Sequence, residues 1–432
     1  MKVHLRTLGC RLNQSEIETM GRQFIIAGHE LVESPEQADR IIVNTCAVTQ
    51  DAAHTSRKLV RQLHHASPQA AITVTGCYSQ IAPDAITVLP GVEAVVSNQD
   101  KDGLVAQLTN KPVEFFDREP VERDALHWIG RTRAFVKAQD GCDNACTFCV
   151  TTVARGEGRS RTIDQVLCEI RSLLAMGYKE IVLTGVHLGS YGHDFGDKQG
   201  LFHLVRAILD QTGAPRVRLS SLEPWDLDEH FFTLWQDRRL CPHLHLPLQS
   251  GCDSTLRRMA RRTNQRQFRE LVRLAREASE NPCITTDIIA GFPGESDAEF
   301  EESIAFVESL DFAGMHVFRY SRRPGTAAAR MRGHVDDAVK KARSARYLAL
   351  ARAREAAYAG DFAGQTLDVL WEHISGATEA GFINVGYTGN YIRVACIHPR
   401  PLTNELLPVR LDNWNTDKQY MLGTPAFNDQ LN

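Results

Sequence analysis

The chain has 432 residues, of which 43% are hydrophobic and 24% charged, and a formal net charge of −4. This composition predicts a globular protein of two or three domains and argues against disorder or a fibre. No apolar run approaches the roughly 20 residues of a membrane helix, and the opening MKVHLR lacks a secretory pattern, so we expect a cytoplasmic protein without a membrane partner.

Residues 1–110 alternate apolar strands, predicted at 3–8, 41–45, 71–75 and 92–97, with helices at 15–27 and 52–65. This βαβ pattern predicts an α/β fold that begins with a doubly wound parallel sheet. Cys10, Cys46 and Cys77 each stand just past the carboxyl end of a predicted strand, at the edge where such sheets bind ligands. The pattern predicts that the three thiols converge on one metal site, with core cysteines or a zinc site as the alternatives.

Residues 111–132 are rich in charge and contain Pro112 and Pro120, and they are interpreted as a linker. Six strands are then predicted at 134–139, 180–184, 216–220, 243–246, 284–290 and 314–319. Their spacing of about 31 residues is that of a (β/α)8 barrel, but six units do not close one, so we predict an open, partial barrel. A basic helix at about 336–359 completes this domain, 133–358.

Cys142, Cys146 and Cys149 follow the first of these strands with C-x3-C-x2-C spacing, on a loop where barrel active sites are built. Thiolates select iron–sulfur clusters or zinc, and a structural zinc site needs four protein ligands. Three cysteines without an obvious fourth therefore predict a cluster with one open iron. A zinc knuckle or core cysteines are the alternatives. Cys168, in the middle of a predicted helix, is expected to pack in the core.

Residues 359–432 predict a small all-β barrel, with strands at 366–371, 391–397 and 406–411. Upstream of it, residues 257–276 contain eight arginines and residues 319–354 contain eleven Lys or Arg. These runs predict a phosphate-binding face, with merely solvated helices as the alternative. Because residues 360–432 carry eight acids and four bases, their share of any RNA affinity stays open. Tyr387, Tyr391 and Trp414 are candidates for stacking on an unpaired base.

The Cys142 motif resembles the signature of the radical S-adenosylmethionine (SAM) enzymes, and the two cysteine groups together resemble one branch of them, the methylthiotransferases. The match extends over nearly the whole chain and includes ARGEGRSR at 154–161, LSSLEP at 219–224, HLPLQSG at 245–251 and TDIIAGFPGE at 286–295. The resemblance implies an amino-terminal cluster domain, a partial (β/α)6 radical SAM barrel and a terminal TRAM-like β-domain. The opening LGCRLNQSE at 8–16 is most similar to the branch acting on N6-threonylcarbamoyladenosine at position 37 of tRNA.

The resemblance also implies two [4Fe-4S] clusters: an auxiliary one on Cys10, Cys46 and Cys77, and one on Cys142, Cys146 and Cys149 whose open iron chelates SAM. The implied reaction is methylthio transfer to carbon 2 of the modified adenine in the tRNA anticodon stem-loop, with flavodoxin or ferredoxin as electron donor and no catalytic residue beyond the cluster ligands. The nearest alternative is the same chemistry on isopentenyladenosine or on a ribosomal protein. An alternative of another class is a non-catalytic, metal-stabilised RNA-binding protein.

Six residues are predicted to contact SAM. Arg155 and Arg161 follow the cysteine loop and suit the SAM carboxylate or a tRNA phosphate, with a solvated or cluster-neutralising loop as the alternative. Gly185 follows the second barrel strand, where backbone carbonyls can approach the SAM amino group or the chain simply turns. The other three lie on or just after predicted strands and are expected to hydrogen-bond SAM: Ser220, Gln249 and Asp287.

Overall fold

The computed structural model describes residues 1–47, 49–117 and 132–426. Within these ranges no helix combines the length and the apolar character needed to cross a lipid bilayer. The predicted linker, 111–132, lies mostly outside the described residues, and its first part contains the short 3-10 helix Val113–Asp117. The division of the chain into domains at 110, 132 and 358 stays a prediction.

The first sheet has five strands: β1 Lys2–Thr7, β2 Glu30–Leu31, β3 Arg40–Thr45, β4 Ala71–Gly76 and β5 Val92–Val95. All are parallel, in the order β2-β1-β3-β4-β5. The helices are Arg11–Ile26, Gln50–Ala66, Cys77–Ile81, Pro83–Thr87 and Leu104–Thr109. Ile41 and Val43 belong to one hydrophobic core and Ile42 to another, because successive side chains of a strand point to opposite faces. Both faces are therefore covered, and the prediction of a doubly wound sheet is confirmed.

The central region is a partial barrel. Its strands are β6 Arg133–Lys137, β7 Gln139–Asp140, β8 Arg159–Ser160, β9 Glu180–Thr184, β10 Arg216–Leu219, β11 His243–His245, β12 Cys283–Ala290 and β13 Gly314–Arg319. β7 and β8 form a small antiparallel ribbon, whereas the other six form two parallel sheets, β6-β9-β10 and β11-β12-β13. Single bridges, Val217 to Leu240 and Ser221 to His245, join the two sheets. No pairing joins β6 to β13 in the described part of the chain, so the barrel is open, as predicted.

The helices of this region are Thr151–Arg155, Ile163–Ala175, Gly200–Gln211, Glu229–Phe232, Asp253–Arg258, Gln265–Ala278, Asp297–Glu308 and Asp337–Gly360. Thr162 and Ser296 precede two of them as N-caps of complete capping boxes. In each box the N-cap hydroxyl accepts from the backbone N–H three residues on, and the side chain of that residue accepts from the N-cap backbone N–H. The prediction that Cys168 packs in the core is wrong. Leu167 and Ile170 are buried, but Cys168 lies outside this apolar stripe and is exposed.

The carboxyl-terminal strands are β14 Thr366–Thr378, β15 Gly381–Thr388, β16 Arg393–His398, β17 Leu406–Asn415 and β18 Tyr420–Pro425. They close into a five-stranded barrel in the order β14-β15-β16-β18-β17. The small all-β barrel is thus confirmed, although sequence analysis missed β15 and β18 and ended β14 at Trp371. Register shifts after Trp371 and after Ile374 interrupt the alternation of apolar and polar residues by which a strand is recognised.

Candidate functional site

The three amino-terminal cysteines lie at the carboxyl ends of neighbouring strands. Cys10 precedes the helix Arg11–Ile26, Cys46 directly follows β3, and Cys77 begins the helix after β4. A Cβ added to Gly9, whose φ is +111°, would meet the Cys46 Sγ at 2.8 Å. Burial raises the pKa of Cys10, and the nearby Cys77 raises it further. The structure thus brings the three residues to one edge of the sheet; that they bind a cluster stays a prediction.

The other three cysteines lie on the loop after β7 with hydrogen-bond donors around their sulfurs. The Asn144 N–H donates to Cys142 Sγ at 3.5 Å and the Thr151 N–H to Cys149 Sγ at 3.4 Å. Arg261 Nη1 donates to the third sulfur, that of Cys146, at 3.7 Å. Burial raises the pKa of the Cys146 thiol to about 11, although Arg261 opposes this. Free thiols with nearby N–H donors suit a thiolate-bound anionic cluster, since the donors stabilise negative charge on sulfur.

Arg323 connects the two cysteine groups electrostatically. Burial lowers its pKa, whereas Cys149 from the barrel loop and Cys46 from the first sheet both raise it. The guanidinium donates to the Phe148 carbonyl at 3.1 Å. One guanidinium is therefore under the electrostatic influence of a thiol from each cysteine group; that the two groups share one cavity stays a prediction.

A buried ionic network around Arg155 joins the first helix to the barrel. Arg155 Nη1 lies 2.8 Å from both Glu16 Oε1 and Asp140 Oδ1, and Nη2 donates to Asn13 Oδ1 at 2.7 Å. Lys101 Nζ lies 2.7 Å from the second oxygen of Glu16. Burial raises the pKa of Glu16, but Arg155 and Lys101 outweigh burial and hold this pKa far below its usual value. Arg155 therefore has a structural role that the sequence did not reveal, and its contact with SAM stays a prediction.

Three other predicted SAM contacts lie near the carboxyl ends of β6, β9 and β10. Arg161 donates to the Lys137 carbonyl at 2.8 Å and pairs with Glu169. A Cβ on Gly185 would approach Gln139 Oε1 to 3.1 Å, so the chain is tightly packed there. Ser220 Oγ is buried without a hydrogen-bond partner within the described residues. None of these contacts identifies a ligand, so the three assignments stay predictions.

Gln249 and Asp287, the remaining two, lie together beside a histidine pair. Gln249 has a backbone φ of +77°, and its N–H donates to the Asp287 carbonyl at 2.8 Å. Asp287 Oδ1 is 3.2 Å from His245 Nε2 and 3.1 Å from His316 Nδ1. Burial raises the pKa of Asp287, but the two imidazoles reverse this and lower it. Sequence analysis missed this group of possible metal ligands, because its members come from three different strands without a recognisable spacing.

The carboxyl-terminal barrel inserts Tyr391 into the amino-terminal end of the central barrel. Its ring stacks on His243 with the centroids 4.6 Å apart, and the Arg218 Cζ lies 4.7 Å from the ring centroid. Arg133 Nη1 donates to the Tyr391 hydroxyl at 3.3 Å, and Tyr387 stacks on the same ring. The prediction that Tyr391 stacks on an RNA base is therefore wrong, because protein groups already cover this ring.

The arginine run at 257–276 is divided between surface and interior. Arg262 and Arg266 are exposed and line a groove of ≈ 1010 Å³ beside Trp225. Arg261, in contrast, is buried and pairs with Glu223 at 2.7 Å, so it does not belong to a phosphate-binding face. Phosphate binding by the exposed members stays a prediction.

Two family models match the chain. The model of uncharacterized protein family UPF0004 matches residues 2–97, and that of the radical SAM superfamily matches residues 136–307. The threonylcarbamoyladenosine tRNA methylthiotransferase MtaB of Bacillus subtilis is 36% identical over 423 residues, which are 95% of this chain and 93% of the relative. MtaB of Thermotoga maritima is 38% identical over 349 residues, 79% and 80% of the two chains. The tRNA-2-methylthio-N(6)-dimethylallyladenosine synthase of Bacillus pumilus is 33% identical over 443 residues, 96% and 85%.

Solved structures share the fold at low sequence identity. The radical S-adenosylmethionine methyltransferase TsrM from Kitasatospora setae, with cobalamin and a [4Fe-4S] cluster bound, aligns with a TM-score of 0.56 at 15% identity, over 76% of this chain and 77% of that one. The cobalamin-dependent radical enzyme OxsB aligns with a TM-score of 0.53 at 13% identity, over 80% and 55%. These likenesses concern the fold alone.

Proposed function

The chain belongs to the radical SAM methylthiotransferases, and from this premise we propose that it adds a methylthio group to carbon 2 of N6-threonylcarbamoyladenosine at position 37 of tRNA. The proposal is carried by the 36% identity, over 95% of the chain, to an enzyme named for threonylcarbamoyladenosine in tRNA. As a radical SAM enzyme the protein uses SAM and an iron–sulfur cluster, and tRNA is its substrate.

Two [4Fe-4S] clusters are assigned to the two cysteine groups. The auxiliary cluster belongs to Cys10, Cys46 and Cys77, and the SAM-binding cluster to Cys142, Cys146 and Cys149. The cluster that these three residues would hold would supply the electron for reductive cleavage of SAM. The electrostatic influence of both Cys149 and Cys46 on the pKa of Arg323 supports a common cavity, in which an adenine base meets both sites.

The reaction needs a tRNA substrate and an electron donor. Arg262 and Arg266 are exposed beside a groove, which supports contacts with the phosphates of the anticodon stem-loop. A small reductant protein, flavodoxin or ferredoxin, supplies electrons, and the protein works in the cytoplasm. Gly185, Ser220, Gln249 and Asp287 are proposed to contact SAM.

Nucleoside analysis tests the substrate directly. The anaerobically reconstituted protein is incubated with SAM, reductant and anticodon stem-loop RNA carrying either threonylcarbamoyl- or isopentenyladenosine, and the digested nucleosides are measured by mass spectrometry. We expect about eight irons per chain and the methylthio product from the first RNA. A product from the isopentenyl RNA alone would assign the chain to the other branch. One or two zinc ions without SAM cleavage would support the non-catalytic RNA-binding protein.

A further inference from the structure

Arg11 occupies a particular place in the molecule. It directly follows Cys10, so its backbone lies at the predicted auxiliary cluster, while its side chain reaches the interior of the central barrel at Tyr391. The threonylcarbamoyl group ends in a free carboxylate, and an isopentenyl group has none. We propose that Arg11 binds this carboxylate and thereby selects the threonylcarbamoyl substrate, an inference that rests on the proposed function.

The guanidinium of Arg11 has unused hydrogen-bonding capacity. Its Nη2 donates to the Tyr391 hydroxyl at 3.1 Å, and its Cζ lies 5.7 Å from the centroid of that ring. This is one hydrogen bond for a group with five N–H donors. Among residues 1–47, 49–117 and 132–426, no carboxylate forms an ion pair with Arg11, although the side chain is half-buried. A partly desolvated cation without a counter-ion favours binding of an anion.

The neighbouring arginines differ from Arg11 because each already has a carboxylate. Arg218 Nε lies 2.6 Å from Glu180 Oε1. Arg133 forms an ion pair with Glu372 and donates to Glu372 Oε2 at 3.4 Å. Among the described residues, Glu180 and Glu372 are the only carboxylates paired with Arg218 and Arg133, and Glu180 also lies 3.6 Å from Arg216. No described carboxylate is left for Arg11, the residue that directly follows Cys10.

The positive charge of these arginines also lowers the pKa values of Tyr391 and His243. Burial raises the pKa of Tyr391, but Arg11, Arg133 and Arg218 outweigh burial and lower it. His243, stacked on the same ring, has a pKa well below its usual value because of burial and the charges of Arg218 and Arg11. The imidazole of His243 is neutral and the Tyr391 hydroxyl carries no positive charge, so neither competes with Arg11 for an anion. The Arg11 guanidinium can bind an anion through two N–H donors in one plane.

A carboxylate and an RNA phosphate are both anions that this fork can bind, so the test varies the carboxylate alone. Two anticodon stem-loop RNAs are compared, one carrying N6-threonylcarbamoyladenosine and the other its methyl ester, with identical phosphates. kcat/KM for methylthiolation and the dissociation constant by fluorescence anisotropy are measured for the reconstituted wild type, R11Q, R11K and R206Q. Arg206 is an exposed arginine that pairs with Asp210 four residues on, so R206Q is the matched control.

The wild type and R206Q should prefer the acid to the ester by about 10- to 100-fold, the range expected for a charge-assisted interaction. R11Q should lose most of this preference and R11K should keep part of it. The ratio of kcat/KM for the acid RNA to that for the ester RNA is taken within each variant, so a smaller active fraction does not change it. Where turnover is too slow to measure, the ratio of the two dissociation constants is used instead. An unchanged ratio in R11Q overturns the role of Arg11. A wild type that methylthiolates neither RNA refutes the proposed function, whereas its binding ratio still tests Arg11.

Discussion

Replacing Arg155 by Met tests the buried network that joins the first helix to the barrel. The substitution keeps much of the aliphatic volume of the side chain and removes its charge and its N–H donors. Three acceptor groups lose a partner at 2.7–2.8 Å: Glu16, Asp140 and Asn13. Lys101 still neutralises Glu16 from 2.7 Å, so the remaining cost comes mainly from buried oxygens left without donors.

The expected loss of stability is about 3–5 kcal/mol, because each orphaned buried acceptor costs about 1–3 kcal/mol and breaking a buried pair costs a similar total. This corresponds to a fall in melting temperature of about 6–20 °C for a cooperative unit of about 200 residues. Asn13 also donates to the carbonyls of Leu8 and Thr45, which are close in sequence to Cys10 and Cys46. The variant should therefore lose auxiliary iron as well as stability.

Thermal unfolding and iron content measure the two effects. R155M is compared with R206M, which removes an exposed ion pair worth about 0–1 kcal/mol. The control should melt within about 4 °C of the wild type and keep its iron. If R155M melts at the same temperature as the control and binds as much iron, the network neither stabilises the chain nor positions the amino-terminal cysteines.

Three further predictions follow from the cysteine groups, the buried acids and the surface charges. Cys146→Ala should abolish reductive SAM cleavage, whereas Cys46→Ala should keep cleavage but stop sulfur insertion; loss of cleavage in both contradicts the assignment of the two clusters. Burial raises the pKa of Glu180, but Arg218 brings it down to about 2 from 4.5, so this pair stabilises the fold fully above pH 4.5 and its contribution is lost as the pH falls towards 2. Between pH 4.5 and 2 the melting temperature of E180Q should accordingly fall less steeply with pH than that of the wild type. Equal slopes for the two proteins contradict a stabilising pair between Glu180 and Arg218. The double variant R262Q/R266Q should lower the slope of log affinity for tRNA against log salt by about 1.5, and an unchanged slope excludes these arginines from phosphate contacts.

The sequence predicts the fold well where buried strands are regular. The strands of the central barrel are short apolar runs separated by capped helices, and all six lie where they are predicted. β15 and β18 are missed because neither forms a clear alternation, and β2 has only two residues. The cysteine groups are predictable because thiols at the carboxyl ends of parallel strands share one edge of a sheet.

The partners of the site residues are much less predictable. Arg11 and Tyr391 are 380 residues apart in the chain, and Arg155 and Glu16 are 139 apart. Such pairs depend on how whole domains pack, which local periodicity does not encode. For the same reason Arg155 is predicted as a ligand contact on its residue type alone, although the fold gives it protein carboxylates.

The insertion of Tyr391 changes how a shortened chain should be interpreted. An enzyme that ends before β14 would lack the aromatic plug of the central barrel, and water would reach Arg218 and His243. It would also lose Glu372, the counter-ion of Arg133. Inactivity of such a truncated enzyme would therefore have two causes that the assay does not separate: exposure of the amino-terminal end of the central barrel to water, and weaker binding of RNA. Point substitutions on the outer surface of the terminal domain separate these two causes, because they leave the plug in place.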